Sequence, residues 1–326
     1  MRTRILTIGT AGMVTALRCG HYPAQGEEVT ADKFCMWPGG RGLLSAIAAS
    51  KLGGDSLLCA AVGDDWFGPS VKEYASGSKD FRIDTRFMCE IRGGQTSVST
   101  LIRTPAEETV MSVPAVSYNI PEDTVEEAIG MSLPDSVLIQ CGNISPETAI
   151  SGTAHANRLD IPVILDLIGT DGGFPLEKFK RSDIVILSDS SAQALSGVSI
   201  SGEQSALRAA GVIERRLSVR YTLIMLGERR GIFLSDNKYH NIFPYLITAG
   251  TTDSMGADET FIASLALDYT RGIKDMGRDI DHAVKYALLA RAWTLSHHGL
   301  ASSMPKDSDL RLFAETNNIK FAFYDI

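Results

Sequence analysis

Two short stretches of the chain place charged side chains beside small residues at the start of a helical pattern. Residues 39–42 read Gly-Gly-Arg-Gly, and residues 254–259 read Ser-Met-Gly-Ala-Asp-Glu. Glycine lets backbone N–H groups approach a ligand closely, and a helix N-terminus favours oxygen-rich or anionic groups. The guanidinium of Arg41 would add a forked donor to the first turn. Together the turns indicate a site for such a ligand, although each turn alone is equally consistent with an ordinary entry into a helix.

Two carboxylates, Asp258 and Glu259, lie in the first turn of the second helix. Acidic residues at this position commonly do no more than complement the helix dipole. That interpretation suits either residue alone, but it fits less well with two glycine-turn helix starts in one chain. Both residues are therefore candidate functional residues.

The elements that must position these turns alternate between strands and helices. Short β-branched or Leu-rich runs predict buried strands at "RILTIG", "SLLCAAVG", "DSVLIQCG", "IPVILDL", "SDIVILS" and "YTLIMLG". Helical patterns lie between and after them, at 43–52, 121–131, 146–158, 190–195, 202–216, 259–269 and 280–297. This alternation predicts a parallel sheet covered by helices on both faces, with the ligand beyond the carboxyl ends of the strands. Asp166, which follows the strand "PVIL", is expected at that edge.

Two segments break the alternation. Residues from about 11 to 38 show no helical period, and residues 93–113 alternate like antiparallel strands around a polar turn. Both are predicted to form a small β-layer, or lid, that stands off the main sheet. No repeat, low-complexity tract or linker divides the sequence, so residues 1–326 are expected to form a single domain.

The composition argues against several classes of protein. Apolar residues make up 44% of the 326 residues, which is enough for a large core. A formal net charge of -8, spread without blocks, argues against nucleic acid or an anionic membrane as the main partner. The apolar runs are shorter than a membrane span, and the N-terminus lacks the long apolar stretch of a signal peptide. Five scattered cysteines without a CxxC pair fit reduced thiols and a cytoplasmic location.

Familiar nucleotide and metal motifs are missing from the sequence. The absence of GxxxxGK[ST] excludes a P-loop, and "GTAGM" after the first strand lacks the GxGxxG spacing of a dinucleotide site. His297 and His298 are adjacent, so they would point in different directions on a helix and make a poor metal-binding pair.

The chain resembles the ribokinase-like, or PfkB, carbohydrate kinases over essentially its whole length. The family's first signature is a Gly-Gly-Lys-Gly turn, an Ala-rich helix and Gly-Asp-Asp-x-x-Gly, which stand here as residues 39–42, 46–49 and 63–68. The second, Asp-Thr-Thr-Gly-Ala-Gly-Asp-Thr-Phe, aligns without a gap on residues 253–261. The resemblance implies a three-layer αβα sandwich with a mostly parallel central sheet and a small β-lid.

In that family the second signature carries out phosphoryl transfer. The resemblance implies an anion hole of backbone N–H groups, which here would be those of Gly256, Ala257 and Asp258. It also implies a catalytic base at Glu259. This sequence departs from the pattern, because Asp258 stands where the family has Gly and Glu259 where it has Asp. The charge of Asp258 would repel the phosphates, and a metal ion could offset that repulsion.

A different register is also open at this signature. A shift of one residue makes Asp258 the base and residues 255–257 the turn. That register loses the match at three neighbouring positions, so the ungapped register with Glu259 as the base is preferred.

In the family the first signature binds the sugar, so the resemblance implies that Gly40, Arg41 and Gly42 contact the substrate here. Three polar groups that hold a sugar in the family are apolar here, at Val14, Leu44 and Val116. Burying sugar hydroxyls against such side chains is unfavourable. The acceptor is therefore expected to be less polar than an ordinary pentose or hexose, or the pocket no longer supports catalysis.

For the nucleotide side of the site, the resemblance implies Mg²⁺-ATP and a monovalent cation as cofactors. "MLGERRG" resembles the family's strand and turn beside the nucleotide, and "HHGLASSMP" resembles its loop near adenine and the cation. The family's Asn-x-x-Glu motif reads Ser-Asp-Ser-Ser at 188–191, where Asp189 could supply a displaced carboxylate. The nucleotide-binding candidates are Ser188, Gly227, Glu228 and Gly231, and the cation candidate is Asp253.

Two functions follow from the resemblance and its departures. The first is ATP-dependent phosphoryl transfer to a hydroxyl of a small sugar or sugar-like metabolite, with Glu259 as the base. The alternative is a non-catalytic kinase relic that binds a ligand or regulates another protein. A homodimer through the lid is expected by analogy with the family.

Overall fold

The strands form two separate sheets in the computed structural model, which describes residues 3–179, 181–226, 232–235, 240–243, 254–271 and 279–324. Within these ranges the strands are β1 (Arg4–Ile8), β2 (Gly12–Arg18), β3 (Lys33–Gly39), β4 (Asp55–Gly63), β5 (Ile83–Ile91), β6 (Ser97–Arg103), β7 (Glu108–Val113), β8 (Val137–Cys141), β9 (Val163–Asp166), β10 (Ser182–Ser188), β11 (Val219–Met225), β12 (Ile232–Ser235) and β13 (His240–Phe243).

The helices of the described ranges are α1 (Arg41–Lys51), α2 (Phe67–Gly77), α3 (Glu122–Gly130), α4 (Pro146–Arg158), α5 (Asp189–Ser196), α6 (Glu203–Arg216), α7 (Ala257–Arg271), α8 (Ile280–Leu295) and α9 (Asp307–Thr316). Local sequence explains where some of them begin. Ser145 caps α4 by accepting a hydrogen bond from Thr148 N, and Pro146 supplies the preset φ of a first helical residue.

The main sheet has the order β13-β12-β11-β10-β9-β8-β1-β4-β5. Seven of these strands, from β11 to β5, run parallel, while β12 and β13 add an antiparallel edge. The sequence prediction of a mostly parallel sheet is confirmed, and all six predicted strands belong to it. Its carboxyl ends lie on one edge, where β1, β8 and β9 end side by side.

Two hydrophobic cores cover the two faces of this sheet. Along β4, Leu58 and Val62 belong to the core with α1, α7 and α8, whereas Leu57 and Ala61 belong to the core with α3 to α6. Alternation of this kind follows from the two-residue period of a strand. Each such Leu or Val that is fully buried contributes about 1.5–3 kcal/mol. The predicted three-layer α/β architecture is confirmed.

The second sheet has the order β3-β2-β6-β7 and forms the predicted lid. Asp65 fixes its base, because Asp65 Oδ1 accepts from Gly68 N at 3.0 Å and from Thr96 Oγ1 at 2.6 Å. Asp65 Oδ2 also accepts from Thr96 N at 2.8 Å. Asp64 Oδ1 accepts from Gly93 N at 2.8 Å. The two acids thus hold the chain where it passes from the main sheet into β6.

Several elements escaped the sequence prediction. The strand β5 reads "IDTRFMCEI" and lies at the sheet edge, where polar and charged residues interrupt the apolar run. The helices α2 and α9 and the short strands β12 and β13 were not predicted either. The strands β5 and β13 lie at the two edges of the main sheet, and β12 is short, so these strands lack the continuous apolar signal of the central strands. The helices α2 and α9 are as long as the predicted helix α1 or nearly so, and their length does not explain why they were missed.

Candidate active site

The first glycine turn follows β3, leads into α1 and packs against the segment that follows β1. Gly40 has φ +98°, and a Cβ there would lie 2.7 Å from Thr10 O. A Cβ on Gly42 would lie 2.7 Å from the carbonyl carbon of Gly9. Leu43 N also donates to Thr10 O at 3.1 Å. Only glycine permits this approach, so the turn brings the start of α1 against the carboxyl end of β1.

The Arg41 guanidinium extends from this turn to two carboxylates far away in sequence. Its Nε and Nη2 donate to the Asp166 carboxylate at 2.7–2.9 Å, as a bidentate pair. Its Nη1 lies 3.2 Å from Oε1 of Glu259, and the Glu259 side chain is only 10% exposed. The predicted substrate-side cation and the predicted base therefore belong to one buried charge cluster with Asp166, which the sequence had placed at this edge.

Burial and mutual charge shift the acidity of all three groups. Burial raises the pKa of the Glu259 carboxyl, while Arg41 opposes the rise and Asp258 adds to it. Burial likewise raises the pKa of Asp166, against the stabilising contact with Arg41. Burial disfavours the charge of Arg41, but the neighbouring carboxylates outweigh that effect and raise its pKa. Arg41 thus stays charged, and Glu259 is a stronger proton acceptor than an exposed glutamate.

The second small-residue turn leads into α7. Gly256 has φ +76°, and a Cβ there would lie 2.9 Å from Cε of Met304. Ala257 N donates to Ser254 O at 3.2 Å, and Thr260 N closes the first helical turn by donating to Gly256 O at 2.9 Å. The N–H of Ala257 is therefore already engaged within the turn. Of the predicted anion hole, this leaves Gly256 and Asp258 as the better donors to a bound phosphate.

Asp258 and Glu259 face different partners although they are adjacent. The Asp258 side chain is 33% exposed, and its Oδ1 accepts from both Nε and Nη2 of Arg291 at 3.3 Å. Arg291 lies on α8 and its side chain is 7% exposed. Glu259 shares Arg41 with Asp166, as described above. The two registers proposed for the base thus place it in two different environments. Asp258 faces Arg291, whereas Glu259 faces Arg41 of the substrate-side turn.

The lid makes contact with the second turn. Ser254 Oγ donates a hydrogen bond to the Glu108 carboxylate at the start of β7. Arg103 on β6 holds the other Glu108 oxygen through its Nε at 2.5 Å. The lid edge at β7 is therefore fastened to the turn that precedes α7. Since β3, at the other edge of the lid, leads into the turn at residues 39–42, the lid connects the two turns of the candidate site.

Sequence reasoning missed two polar residues of this region besides Arg291. Thr10 Oγ1 accepts from Arg41 N at 3.2 Å and from Asn143 Nδ2 at 2.9 Å. Asn143 Oδ1 is buried and has no hydrogen-bond partner among the described residues. Both residues follow central strands, β1 and β8, so the rule that ligands bind beyond carboxyl ends could have identified them.

The apolar positions of the substrate side are dispersed. Val14 on β2 is half-buried beside Gly39 and Leu300, where it packs on the core with α1. Leu44 is 4% exposed and is part of that core. Val116 lies in the short 3₁₀ turn Ala115–Tyr118 and packs on the opposite core. Only Val14 therefore remains a direct lid-side neighbour of the turn at residues 39–42.

The nucleotide side is only partly described. Ser188 caps α5, because its Oγ accepts from Ser191 N at 3.1 Å, so its hydroxyl already has a local role. Asp189 Oδ1 accepts from Ser190 N at 2.7 Å. The other predicted nucleotide and cation residues, Gly227, Glu228, Gly231 and Asp253, lie outside the described residues. Their roles, like that of Ser188, stay predictions.

No group of three or more His, Cys, Asp or Glu side chains in the described ranges is arranged to hold a metal ion. His297, for example, has its Nδ1 2.7 Å from Trp293 O and its ring stacked on that of Trp293. Mg²⁺ normally needs only one or two protein carboxylates when it arrives with phosphates. The partly exposed carboxylate of Asp189 fits that limited requirement.

The fold and site define an α/β protein with a buried charge cluster at the carboxyl ends of parallel strands and a β-lid fastened beside it. The model of the pfkB family of carbohydrate kinases matches residues 2–307. The chain belongs to this family of sugar kinases.

Relatives of known activity match along nearly their whole length. Ribokinase of Haemophilus influenzae is 23% identical, over 97% of this chain and 99% of its own. Ribokinase of Bacillus subtilis is 24% identical, over 94% of this chain and 97% of its own. At these identities the family is shared, while the acceptor is a separate question.

Solved structures of low sequence identity have the same fold. Arabidopsis thaliana ribokinase complexed with ribose and ATP has a TM-score of 0.83 at 19% identity, covering 99% of this chain and 100% of that one. Giardia lamblia ribokinase has a TM-score of 0.85 at 16% identity, covering 97% and 99%. In the described part of this chain, every helix is too short or too polar to cross a membrane.

Proposed function

We propose that the protein transfers a phosphoryl group from ATP to a hydroxyl of a small sugar-like molecule. The observation that carries the proposal is the position of Glu259. Its carboxylate is buried at the start of α7 and shares the Arg41 guanidinium of the other glycine turn. A basic group thus lies between the predicted phosphate side and the predicted acceptor side.

Glu259 would accept the proton of the acceptor hydroxyl as the oxygen attacks the terminal phosphorus of ATP. The bond from that phosphorus to the bridging oxygen breaks, and ADP leaves with the electron pair. N–H groups at the start of α7 would receive the charge that builds on the phosphoryl oxygens. Arg41 would orient the base and keep its ionised form available, since it counters the effect of burial on the Glu259 pKa.

Mg²⁺ would enter as the counter-ion of the ATP phosphates and would neutralise part of their charge. Asp189 is a partly exposed carboxylate that could complete its shell. A monovalent cation at Asp253 and a cytoplasmic location are likewise proposals, which rest on the resemblance to the family.

The acceptor proposed here is a less polar alcohol than an ordinary pentose or hexose. Val14 replaces a carboxylate beside the substrate turn, and the described polar groups close to that turn are Thr10, Asn143 and the Arg41 cluster. The buried Oδ1 of Asn143 has no partner within the described part of the chain and could accept a hydrogen bond from one acceptor hydroxyl. The replacement of a polar family contact by Val14 suits an acceptor with fewer hydroxyls, such as a deoxy or substituted sugar.

Calorimetric titration with a non-hydrolysable ATP analogue and Mg²⁺ tests the donor side first, and an acceptor screen follows. Micromolar binding together with phosphorylation of one screened alcohol supports the kinase. Binding without turnover on any acceptor would favour the alternative, a ligand-binding relic of a kinase. Absence of nucleotide binding would overturn the proposal.

We also propose a homodimer through the lid. The strand registers put the large apolar side chains of Phe34, Met36, Met111 and Val113 on one face of the lid sheet. All four are at least 45% exposed. The edge strands β3 and β7 have no further strand neighbour in the described ranges. An apolar face with open edges favours a second copy of the same sheet as its cover.

A further inference from the structure

Arg291 is a buried cation outside the two signatures. Its side chain is 7% exposed, and both its Nε and Nη2 lie 3.3 Å from Oδ1 of Asp258. A charge removed from water at this depth is costly unless an opposite charge or hydrogen bonds compensate it. The pairing of Arg291 with Asp258 is therefore part of how the site is built.

Asp258 lies in the first turn of α7, at the position where donor phosphates would bind. Its charge acts on Arg41, Asp166 and Glu259 across the site. Arg41 is already shared between two carboxylates, so it compensates the charge of Asp258 only in part. Without another cation, the site would present an excess of negative charge to an incoming phosphate, and the two would repel each other.

We infer that Arg291 is a positioning residue that draws Asp258 toward α8, offsets its charge and so leaves the start of α7 open to the donor phosphates. The inference rests on the proposed kinase function. Arg291 acts through Asp258 and does not contact the phosphate itself. The two residues therefore form one functional unit in place of the side-chain-free turn that the family signature has at this point.

A double-mutant cycle separates this role from direct phosphate contact. Arg291→Met, Asp258→Gly and the combined variant are titrated with a non-hydrolysable ATP analogue and Mg²⁺. Arg291→Met alone is expected to weaken binding about tenfold or more. Asp258→Gly is expected to bind at least as well as the unaltered protein. The combined variant should return to within about threefold of Asp258→Gly, since the group that needed compensation has been removed.

Arg271→Met provides the matched control for a general loss of stability. Arg271 is the last residue of α7, the helix whose first turn carries Asp258. At a rise of 1.5 Å per residue it lies about 20 Å from Asp258. It pairs with Asp307 at 3.8 Å and donates to Leu52 O. This variant is expected to melt at a lower temperature while retaining nucleotide affinity. A loss of affinity as large as that of Arg291→Met would overturn the inference, because unfolding alone would then explain both results.

The remaining outcomes separate the inference from the function on which it rests. An equal loss of affinity from Arg291→Met with and without Asp258 would overturn the inference and leave the kinase proposal standing. Binding by Asp258→Gly but not by the unaltered protein would also overturn it, since Arg291 would then fail to offset Asp258. Absence of binding by both proteins would overturn the kinase proposal and the inference together.

Discussion

The guanidinium of Arg41 and the carboxylate of Glu259 lie 3.2 Å apart and join the two glycine turns of the chain. One turn follows β3 and packs against the end of β1, and the other precedes α7, so the contact bridges the acceptor side and the phosphate side of the proposed site. Arg41 also binds Asp166, a carboxylate with no exposed side-chain surface. The base of the proposed reaction is therefore oriented by an arginine that is itself fixed by a second acid.

Glu259→Gln is expected to lower the turnover number by at least about 100-fold, because an amide cannot accept the hydroxyl proton. Gln retains the volume of the buried side chain, so the melting temperature should stay the same or rise. Asp258→Asn serves as the matched control at the neighbouring acid and should retain most of the activity. Full turnover by Glu259→Gln with loss in Asp258→Asn would show that Asp258 is the base.

The pH profile of turnover should carry the signature of the buried base. Burial raises the Glu259 pKa above its usual 4.5, and only the ionised form accepts a proton. Activity is therefore expected to fall as pH decreases through that raised pKa, at a higher pH than for an ordinary glutamate. The turnover number, measured at saturating substrates between pH 4.5 and 8, shows this acid limb of the pH profile directly. An acid limb at or below pH 4.5 would contradict the assigned environment.

Arg41→Met should destabilise the fold by about 3–5 kcal/mol, because it leaves the buried Asp166 without its cation. Combining it with Asp166→Asn removes the unpaired charge and should recover much of the loss. Urea unfolding of the single and double variants measures both effects. Arg18→Met breaks an exposed pair with Asp32 and is expected to leave the unfolding midpoint unchanged. Equal stabilities for Arg41→Met and Arg18→Met would contradict a structural role for the buried cluster.

His282 should make the docking of residues 319–324 depend on pH. Its Nδ1 lies 2.6 Å from the Asp268 carboxylate and its Nε2 lies 2.7 Å from Ala322 O, so the doubly protonated ring satisfies both acceptors. The hydrogen bond to Asp268 raises the His282 pKa despite burial, with further support from Asp279. Since a raised pKa favours the charged form in the folded state, this stabilisation is present below pH 6.5 and is lost as pH rises through the raised value.

The melting temperature is therefore expected to fall by a few degrees, on the order of 2–4 °C per kcal/mol lost, as pH rises from 6 to 9. Hydrogen exchange in residues 319–324 should accelerate over the same range. His282→Gln should remove both changes, whereas His21→Gln, at an exposed pair with Glu27, should not. If the pH response persists in His282→Gln, a group other than His282 causes it.

Phe34→Glu is expected to convert the proposed dimer into a monomer, because it places a charge in the apolar lid face. Sedimentation velocity measures the change. Leu312→Glu on α9 is the matched control, since Phe34 and Leu312 are each 62% exposed. A monomeric unaltered protein, or a dimer that tolerates the lid substitution, would contradict the proposed interface.

The sequence by itself determined the parallel sheet, the lid and both glycine turns, because each has a local signal. Continuous apolar runs mark strands that are buried on both faces. The first turn needs glycine where two backbones approach, and the second needs it where φ is positive, at Gly256. Asp166 was also identified from its place after a strand. The single domain, and the roles of the residues outside the described ranges, stay predictions of the sequence.

Only the tertiary structure decided which charges meet. No local pattern pairs Arg41 with Asp166 and Glu259, because these residues lie on elements that the parallel crossovers bring together from distant parts of the chain. Asp258 and Arg291 meet because the successive helices α7 and α8 pack on each other. Salt-bridge partners are set by side-chain reach and burial once the helices have packed. The sequence therefore identified a departure from the family at Asp258, and the packing of α7 on α8 supplied the cation that offsets it.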